Sequence, residues 1–210
     1  MLRVLIVEDH ELVRRGLRHL LAAHLPELTI VEAPDANTAI DRLIREEWQL
    51  VMLDVELPGR SGLEVLEESR RLQPKTPVLV LTAHPEEQFA VRAFKLGAAG
   101  YLTKQAKAGQ LITAVQRVLA GGKYVSAELA ERLATDLGST APAALHETLS
   151  SRELQVLRLI ALGKTMKEIA RDLALSEKTV ATYRTRITEK TGLRTGVEIA
   201  RYALKHRLVE

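Results

Sequence analysis

Five apolar runs, each followed by a helix-like pattern, occupy the first 120 residues of this chain. The first run, Leu2 to Val7, is apolar apart from Arg3, as expected of a parallel strand that is buried on both faces. Between the runs, apolar residues at helical spacing predict helices, such as one over Ala36–Glu46 that Asp35 can cap. Alternating strands and helices predict an α/β fold with an open, doubly wound, five-stranded parallel sheet. The other predicted strands are 28–33, 50–54, 77–83 and 99–104.

Polar residues end several of these predicted strands. Glu8 and Asp9 end the first strand, Asp54 the third, Thr82 the fourth and Lys104 the fifth. Because ligands bind such sheets at the carboxyl ends of the strands, we expect these side chains to form one site. Clustered carboxylates repel one another unless a hard cation such as Mg²⁺ neutralises them, and a lysine and a hydroxyl can bind a phosphoryl group. The pattern favours phosphoryl transfer to a carboxylate, with Asp54 as the nucleophile and Mg²⁺ as the cofactor.

Basic residues are concentrated in the last part of the chain. Residues 148–210 hold 13 of the 30 Lys and Arg but only 7 of the 27 Asp and Glu, although the whole chain has a net charge of only +3. A basic module of this kind suggests a polyanionic partner. The absence of cysteine excludes disulfides, zinc ribbons and thiol nucleophiles, and the aromatic content of 3% argues against a protein that stacks single-stranded bases.

Four helical patterns follow one another in this basic module. A capping box opens the first, and a tight turn joins a short helix over Met166–Ala174 to a longer one over Glu177–Gly192. Two helices connected in this way predict a helix-turn-helix. The fourth helix, at about Thr195–His206, has an apolar side made of Val197, Ala200 and Leu204.

The third helix of the module has two different sides. At 100° per residue, Val180, Tyr183 and Ile187 fall together and should pack inward. The opposite side should face the major groove of double-stranded DNA, and basic residues around it are candidates for phosphate contacts. The groove-facing residues are Lys178, Ala181, Thr182, Thr185, Arg186 and Glu189, and the phosphate candidates are Lys164, Lys167, Arg184, Lys190 and Arg194.

Residues 1–120 resemble a response-regulator receiver domain, a flavodoxin-like fold. The matching stretches are VLIVEDHELVRRGL, LVMLDVELPGRSGLEVL, VLVLTAH and GAAGYLTK. The resemblance implies that Asp54 is the phosphoacceptor. It also implies that Asp9, Asp54 and the backbone carbonyl of Glu56 bind Mg²⁺, and that Glu8 helps through water.

The same resemblance assigns the switch. It implies that Thr82 and Lys104 bind the phosphoryl group, and that Tyr101 is a switch aromatic. As Thr82 is drawn toward the phosphoryl group, Tyr101 turns inward and remodels the face of the fourth helix, fifth strand and fifth helix. This chain departs from many receivers by having Glu56, where they have methionine or another apolar residue. Glu56 and His84 flank the path of an attacking water, which leaves the lifetime of the phosphoryl group open.

Residues Leu149 to Val209 resemble the LuxR-type helix-turn-helix of the NarL/FixJ response regulators. The matching stretches are LSSRELQVLRLIALGKTMKEIA, LALSEKTVATYRTRI and EIARYALKHRLV. The resemblance implies an all-α four-helix module whose third helix enters the major groove and whose fourth helix often dimerises. Ala181 and Tyr183 depart from relatives that often have lysine and histidine there, so the target sequence cannot be taken from them.

Three regions are therefore predicted along the chain. Residues 1–120 form the receiver domain, and residues 149–210 form the LuxR-type helix-turn-helix domain. Residues 121–148 form a linker, in which SAELAERLATDL predicts a short helix and GSTAPAA a flexible connection.

The two resemblances together predict a two-component response regulator. A sensor histidine kinase phosphorylates Asp54, which switches sequence-specific binding to promoter DNA and thereby transcription, with a homodimer forming on phosphorylation or DNA binding. The receiver is expected to catalyse only its own phosphorylation and dephosphorylation, so we do not expect an enzyme. MLRVLIVEDH is not typical of a signal peptide, and no apolar stretch approaches the ~18 residues of a membrane span. A soluble, cytoplasmic protein without a membrane partner is therefore expected.

Two alternative interpretations stay open. A receiver uncoupled from the DNA-binding module would make this a phosphorylation-independent DNA-binding regulator, and the negative charge of Glu56 near the phosphoryl site keeps that alternative open. A phosphatase of the haloacid-dehalogenase kind also forms an aspartyl phosphate, and Asp54-Val-Glu56 faintly resembles its paired acids. That motif normally ends the first strand, whereas here it ends the third, and turnover of small phosphoesters would distinguish the two.

Overall fold

Backbone hydrogen bonds join the five predicted strands into one parallel sheet. The computed structural model describes residues 2–58, 60–84, 86–127, 129–131, 144–206 and 208–209, in two compact units, Met1–Gly138 and Ser139–Glu210. The strands of the first unit are β1 (Leu2–Val7), β2 (Leu28–Ala33), β3 (Leu50–Leu53), β4 (Val78–Thr82) and β5 (Gly100–Thr103). Its helices include α1 (Glu11–His24), α2 (Ala36–Arg45), α3 (Gly62–Leu72), α4 (Glu86–Lys95) and α5 (Ala108–Leu119).

The strands lie in the order β2-β1-β3-β4-β5, so the direction of the winding changes between β1 and β3. Every residue of β3 and β4 is buried, as are the last four residues of β1, which explains their continuous apolar sequences. In doubly wound sheets the crevice at such a change of direction is where ligands bind. The predicted α/β sheet is confirmed.

The register of the sheet aligns the strand ends that carry the polar residues. Val7 is paired with Leu53, and the N–H of Asp54 donates to the carbonyl of Val7 at 2.9 Å. At the other side of the sheet, the N–H of Lys104 donates to the carbonyl of Thr82 at 2.7 Å. The residues that follow β1, β3 and β5 therefore emerge at the same edge.

The second unit is a set of capped helices around a small apolar core. Ser150, Thr165, Ser176 and Thr195 each accept a hydrogen bond from the backbone N–H three residues later, which fixes where each helix begins. Its helices are α6 (Ser151–Ala161), α7 (Met166–Asp172), α8 (Glu177–Thr191) and α9 (Gly196–Lys205), preceded by a 3₁₀ turn at Leu145–Thr148. The predicted helix-turn-helix module is thus confirmed.

Two expectations for these helices need correction. The short helix ends at Asp172 rather than Ala174, because Ala174 adopts a left-handed φ of 52° in the turn before α8. On α9, the apolar side identified from the sequence is the outer one: Val197 is 79% and Leu204 is 58% exposed, while Ile199 and Ala203 are buried.

The helix predicted from SAELAERLATDL spans residues 126–137, of which 128 and 132–137 lie outside the described residues. Ala127 and residues 129–131 are helical. In the part of the chain that the structure describes, no helix is both long enough and apolar enough to cross a bilayer.

Candidate phosphoacceptor site and DNA-binding surface

Lys104 joins two carboxylates at the carboxyl edge of the sheet. Its Nζ lies 2.7 Å from Asp54 Oδ2 and 2.6 Å from Glu8 Oε2. The two carboxylate side chains are only 2% exposed, whereas the lysine side chain is 18% exposed. A single ammonium therefore offsets part of the charge of two carboxylates that are shielded from water.

The surroundings of Lys104 keep it charged. Burial of the ammonium lowers the pKa of Lys104, but its hydrogen bonds to Asp54 and Glu8 and the attraction of both negative charges outweigh that effect. The pKa of Lys104 therefore lies above its usual value. The ammonium is protonated at neutral pH and can bind a phosphoryl oxygen.

Three carboxylates and a histidine could hold a metal ion at this edge. One potential ligand atom from each of Glu8, Asp9, His10 and Asp54 lies within 4.8 Å of the others. The three carboxylates are the hard oxygen donors that Mg²⁺ prefers, so the donor set fits that ion. The N–H of Glu56 donates to Asp54 Oδ1 at 3.2 Å, which places the Glu56 peptide beside the acceptor carboxylate.

Thr82 and Tyr101 are linked through His84. Thr82 is fully buried, and its Oγ1 accepts a hydrogen bond of 3.4 Å from the backbone N–H of His84. Tyr101 is also fully buried, and its hydroxyl donates to the carbonyl of His84 at 3.1 Å. The Nε2 of His84 lies 2.7 Å from Glu56 Oε1, so these two side chains meet beside the site.

Sequence reasoning missed two residues of this site. His10 Nδ1 lies 3.0 Å from Glu8 Oε1 and 2.8 Å from Asp9 Oδ1. The hydrogen bond to Glu8, followed by the charge of Asp9, raises the pKa of His10. At Gly62 a Cβ atom would lie 1.8 Å from the carbonyl oxygen of Asp54, so only glycine fits there. The signals were present, since His10 follows Glu8-Asp9 directly and Gly62 opens α3.

The predicted reading side of α8 is exposed. Val180 and Ile187 are fully buried and Tyr183 is half-buried, so the opposite side faces solvent. The hydroxyls of Thr182 and Thr185 donate to backbone carbonyls one turn earlier, so each already has a hydrogen-bond partner within the helix. The exposed residues on this side are Lys178, Ala181, Thr182, Thr185, Arg186 and Glu189.

The predicted phosphate contacts differ in their surroundings. Lys164 Nζ lies 2.5 Å from Asp172 Oδ2, and Lys190 Nζ lies 2.7 Å from Glu153 Oε2, so each ammonium has an intramolecular carboxylate partner. Lys167 and Arg194 are exposed, and Arg184 is half-buried. The structure therefore brings the basic residues to the surface of this unit but ties two of them to its own acids.

An aspartate held by a lysine at the switch point of a parallel sheet, on a chain that also carries a helix-turn-helix, defines a signalling regulator of gene expression. Comparison with known proteins agrees. Residues 4–116 match the response regulator receiver domain, and residues 147–203 match the luxR family of bacterial regulatory proteins.

Relatives match the chain over its full length. The response regulator GacA of Pseudomonas aeruginosa is 38% identical over 214 residues, covering 100% of this chain and 99% of its own. The response regulator UvrY of Escherichia coli is 32% identical, covering 99% and 96%. Among solved structures, a LuxR-family two-component response regulator from Aurantimonas is 33% identical with a TM-score of 0.59, covering 65% of this chain and 98% of its own. RcsB of Salmonella enterica, bound to promoter P1flhDC with the phosphomimetic BeF₃⁻, is 25% identical with a TM-score of 0.58, covering 98% of both chains.

This chain belongs to the response regulators that combine a receiver domain with a LuxR-type DNA-binding domain, the NarL/FixJ family. It is a two-component transcription regulator with a receiver domain and a LuxR-type DNA-binding domain. The family is not a classical enzyme family, which argues against the phosphatase alternative. Receiver domains generally bind Mg²⁺ in an acidic pocket, and this chain has such a cluster.

Proposed function

We propose that Asp54 is the residue that accepts the phosphoryl group, from a sensor histidine kinase. The observation that supports this assignment most directly is the buried Asp54 carboxylate that follows β3, held 2.7 Å from Lys104 Nζ. Transfer begins when an Asp54 oxygen attacks the phosphorus of a phosphohistidine. The new O–P bond forms as the P–N bond breaks, and the departing imidazole takes up a proton. Lys104 then exchanges its carboxylate contact for a phosphoryl oxygen, and Thr82 donates to another.

Mg²⁺ is the cofactor of this proposal. Asp9, Asp54 and the backbone carbonyl of Glu56 would hold the ion, and Glu8 would act through water. When bound, Mg²⁺ offsets the negative charge of the carboxylates and of the incoming phosphoryl oxygens. The same site also removes its own phosphoryl group, by attack of water past Glu56 and His84.

Phosphorylation is read out by Thr82 and Tyr101. The charge and acceptor oxygens added at Asp54 draw the Thr82 hydroxyl toward them, and Tyr101 is held inward. An inward Tyr101 with its hydroxyl on the carbonyl of His84 supports this coupling. The switch then favours a homodimer that presents two reading helices to DNA.

The C-terminal unit binds promoter DNA through α8. Lys178, Ala181, Thr182, Thr185 and Arg186 face the bases, and the cations around them contact phosphates. The structure of RcsB, which is 25% identical, was solved with promoter DNA and BeF₃⁻. This supports a DNA-binding role for the C-terminal unit of the present chain. The outer side of α9 supplies the contact between two copies. We assign the protein to the cytoplasm, because a cytoplasmic location gives it access both to the kinase that phosphorylates it and to promoter DNA.

A gel-shift titration tests the assignment of Asp54. Full-length wild type, Asp54→Asn and the exposed control Asp41→Asn are incubated with Mg²⁺ and acetyl phosphate and titrated into a pool of promoter fragments. We expect acetyl phosphate to tighten binding by wild type and Asp41→Asn only, and Asp54→Asn to take up no acid-labile phosphate. Phosphate uptake by Asp54→Asn at the wild-type level would show that the nucleophile is another residue. Equal DNA binding by all three proteins would favour the uncoupled receiver.

A further inference from the structure

The chain that follows α5 returns to the sheet and pairs with its last strand. The N–H of Tyr124 donates to the carbonyl of Ala99 at 2.9 Å, and the N–H of Tyr101 donates to the carbonyl of Tyr124 at 3.4 Å. Gly100 and Tyr124 thereby form a parallel bridge. The start of the linker thus covers the edge of β5, and its partner there is the backbone of the switch aromatic itself.

A second contact attaches the same segment to α4. The hydroxyl of Ser126 donates to Glu86 Oε2 at 2.5 Å, and Ser126 Oγ accepts from the N–H of Leu129 at 3.1 Å. The N–H of Ala130 donates to the carbonyl of Ser126 at 3.0 Å, so a helical turn begins here, and its Leu129 is buried. We call Tyr124 and Ser126 the linker anchor, since they attach the linker to β5 and to the first residue of α4.

Both attachment points adjoin His84. Its carbonyl accepts the Tyr101 hydroxyl, its N–H donates to Thr82, and its ring packs against Phe89 of α4 with centroids 4.8 Å apart. Glu86 lies only two residues further along the chain. A movement of Thr82 or Tyr101 must therefore shift His84, and with it the start of α4 to which Ser126 is bound.

We propose that the linker anchor senses the state of the switch. The linker anchor docks when Tyr101 is inward and α4 begins at Glu86, as in this structure. It is released when Tyr101 turns outward. Residues 124–127 and 129–131 are then held against the receiver in the docked state and detached from it in the released state, which changes how far from α5 the chain can carry the DNA-binding unit. This inference rests on the proposed role of Asp54 phosphorylation. Docking and the phosphorylated state stabilise each other, so weakening one weakens the other by the same factor.

The test compares DNA affinity with and without BeF₃⁻ and Mg²⁺, using the full-length protein. The probe is a duplex that BeF₃⁻-loaded wild type has selected from a random pool, and the quantity is the ratio of Kd without BeF₃⁻ to Kd with it. We expect Ser126→Ala to reduce this ratio about fivefold through weaker binding in the loaded state only. Ser139→Ala, the same substitution further along the linker, and Ser126→Thr, which keeps the hydroxyl, should retain the wild-type ratio.

A double-mutant cycle checks that the contact with Glu86 is responsible. Glu86→Ala should lower the ratio as much as Ser126→Ala does, and the double variant no further. Amide exchange at Tyr124 should also be slower with BeF₃⁻ in wild type than in Ser126→Ala. A Ser126→Ala ratio equal to that of Ser139→Ala, or additive effects in the cycle, would overturn the inference alone. A wild-type ratio of one would overturn the proposed function, and this inference with it.

Discussion

Gly62 lets the start of α3 approach the backbone of the proposed phosphoacceptor, Asp54. The N–H of Gly62 donates to the carbonyl of Val55 at 2.8 Å, and a Cβ on Gly62 would lie 1.8 Å from the carbonyl oxygen of Asp54. The first turn of α3 therefore approaches the end of β3 more closely than any side chain permits. Since the obstructing atoms are backbone, the clash can be relieved only by moving α3 or the Asp54 peptide.

Gly62→Ala should therefore damage both stability and phosphorylation. We expect a loss of about 2–3 kcal/mol in the free energy of unfolding, as for other overpacked sites. Phosphate uptake from acetyl phosphate should fall roughly tenfold or more, because the nucleophile is displaced. Urea unfolding and acid-labile phosphate measure the two effects. Gly109→Ala on α5 is the matched control: no atom lies within 4 Å of its added methyl group. If the two variants behave alike, the close approach at Gly62 has no consequence.

The contact between Glu56 and His84 bears on how long the phosphoryl group survives. Their side chains meet at 2.7 Å, and the Glu56 side chain is 57% and the His84 side chain 15% exposed. We expect this pair to cover the path by which water reaches the phosphoryl group. We expect Glu56→Ala and His84→Ala each to shorten the life of the aspartyl phosphate several-fold, and the double variant no further, because either change opens the same path. Decay of acid-labile phosphate after removal of the donor measures this. Glu67→Ala, on the exposed side of α3, should decay as wild type does; a longer-lived phosphoryl group in Glu56→Ala would mean that the pair assists hydrolysis.

At the scale of elements, an ion pair joins two helices of the DNA-binding unit. Glu153 is the third residue of α6, where it completes the capping box with Ser150, and its Oε2 also lies 2.7 Å from the Nζ of Lys190 on α8. Burial raises the pKa of Glu153. The hydrogen bonds from Lys190 and from the backbone of Ser150 outweigh burial and bring the pKa below the usual 4.5. Ionised Glu153 therefore stabilises the fold.

This sign fixes a pH dependence. Because the folded pKa is the lower one, the stabilisation is complete above about pH 4.5 and is lost as the pH falls through the folded value. Glu153→Gln should cost about 1–2 kcal/mol at pH 7, allowing for the exposure of Lys190, and should lose less further stability than wild type between pH 7 and pH 4. Amide exchange in α6 at pH 7 and pH 4 measures the loss of stability at pH 7 and the further loss on acidification. The exposed control Glu189→Gln should follow wild type; equal acid sensitivity of both variants would contradict the role of the pair.

Elements buried on two faces could be predicted from sequence, and those with a choice of faces could not. The run of β3 is apolar throughout and that of β4 is apolar up to Thr82, as expected of central strands buried on both faces. On α9, both Val197–Leu204 and Ile199–Ala203 form apolar stripes, and helical periodicity does not decide which one packs inward. The contacts among Asp54, Glu8 and Lys104 follow from the strand ends. The contacts of Glu56 with His84 and of Glu86 with Ser126 depend on loop conformations. Loops have no regular spacing of apolar residues from which their conformation could be predicted.

At the scale of the whole molecule, the two units divide the chemistry between them. The acidic site at the sheet edge belongs to the first unit, and the exposed face of α8 belongs to the second. We expect covalent change at Asp54 to reach DNA through the linker and through association of two copies. The linker anchor represents the first route. The outer side of α9 represents the second, because Val197 and Leu204 lie seven residues apart on one helical face and are both exposed to solvent.

This exposed pair leads to a prediction for the dimer. Leu204→Glu introduces a charge that two copies of α9 would have to bury against each other, so it should keep the BeF₃⁻-loaded chain monomeric in sedimentation experiments. Affinity for a duplex with two half-sites should fall about tenfold, while affinity for one half-site should stay unchanged, because only the linkage between two contacts is lost. Leu162→Glu is the control, since Leu162 is also exposed, at 55%, but follows α6. Were Leu204→Glu to dimerise and bind both duplexes as Leu162→Glu does, the dimer would have to form through the receiver domain.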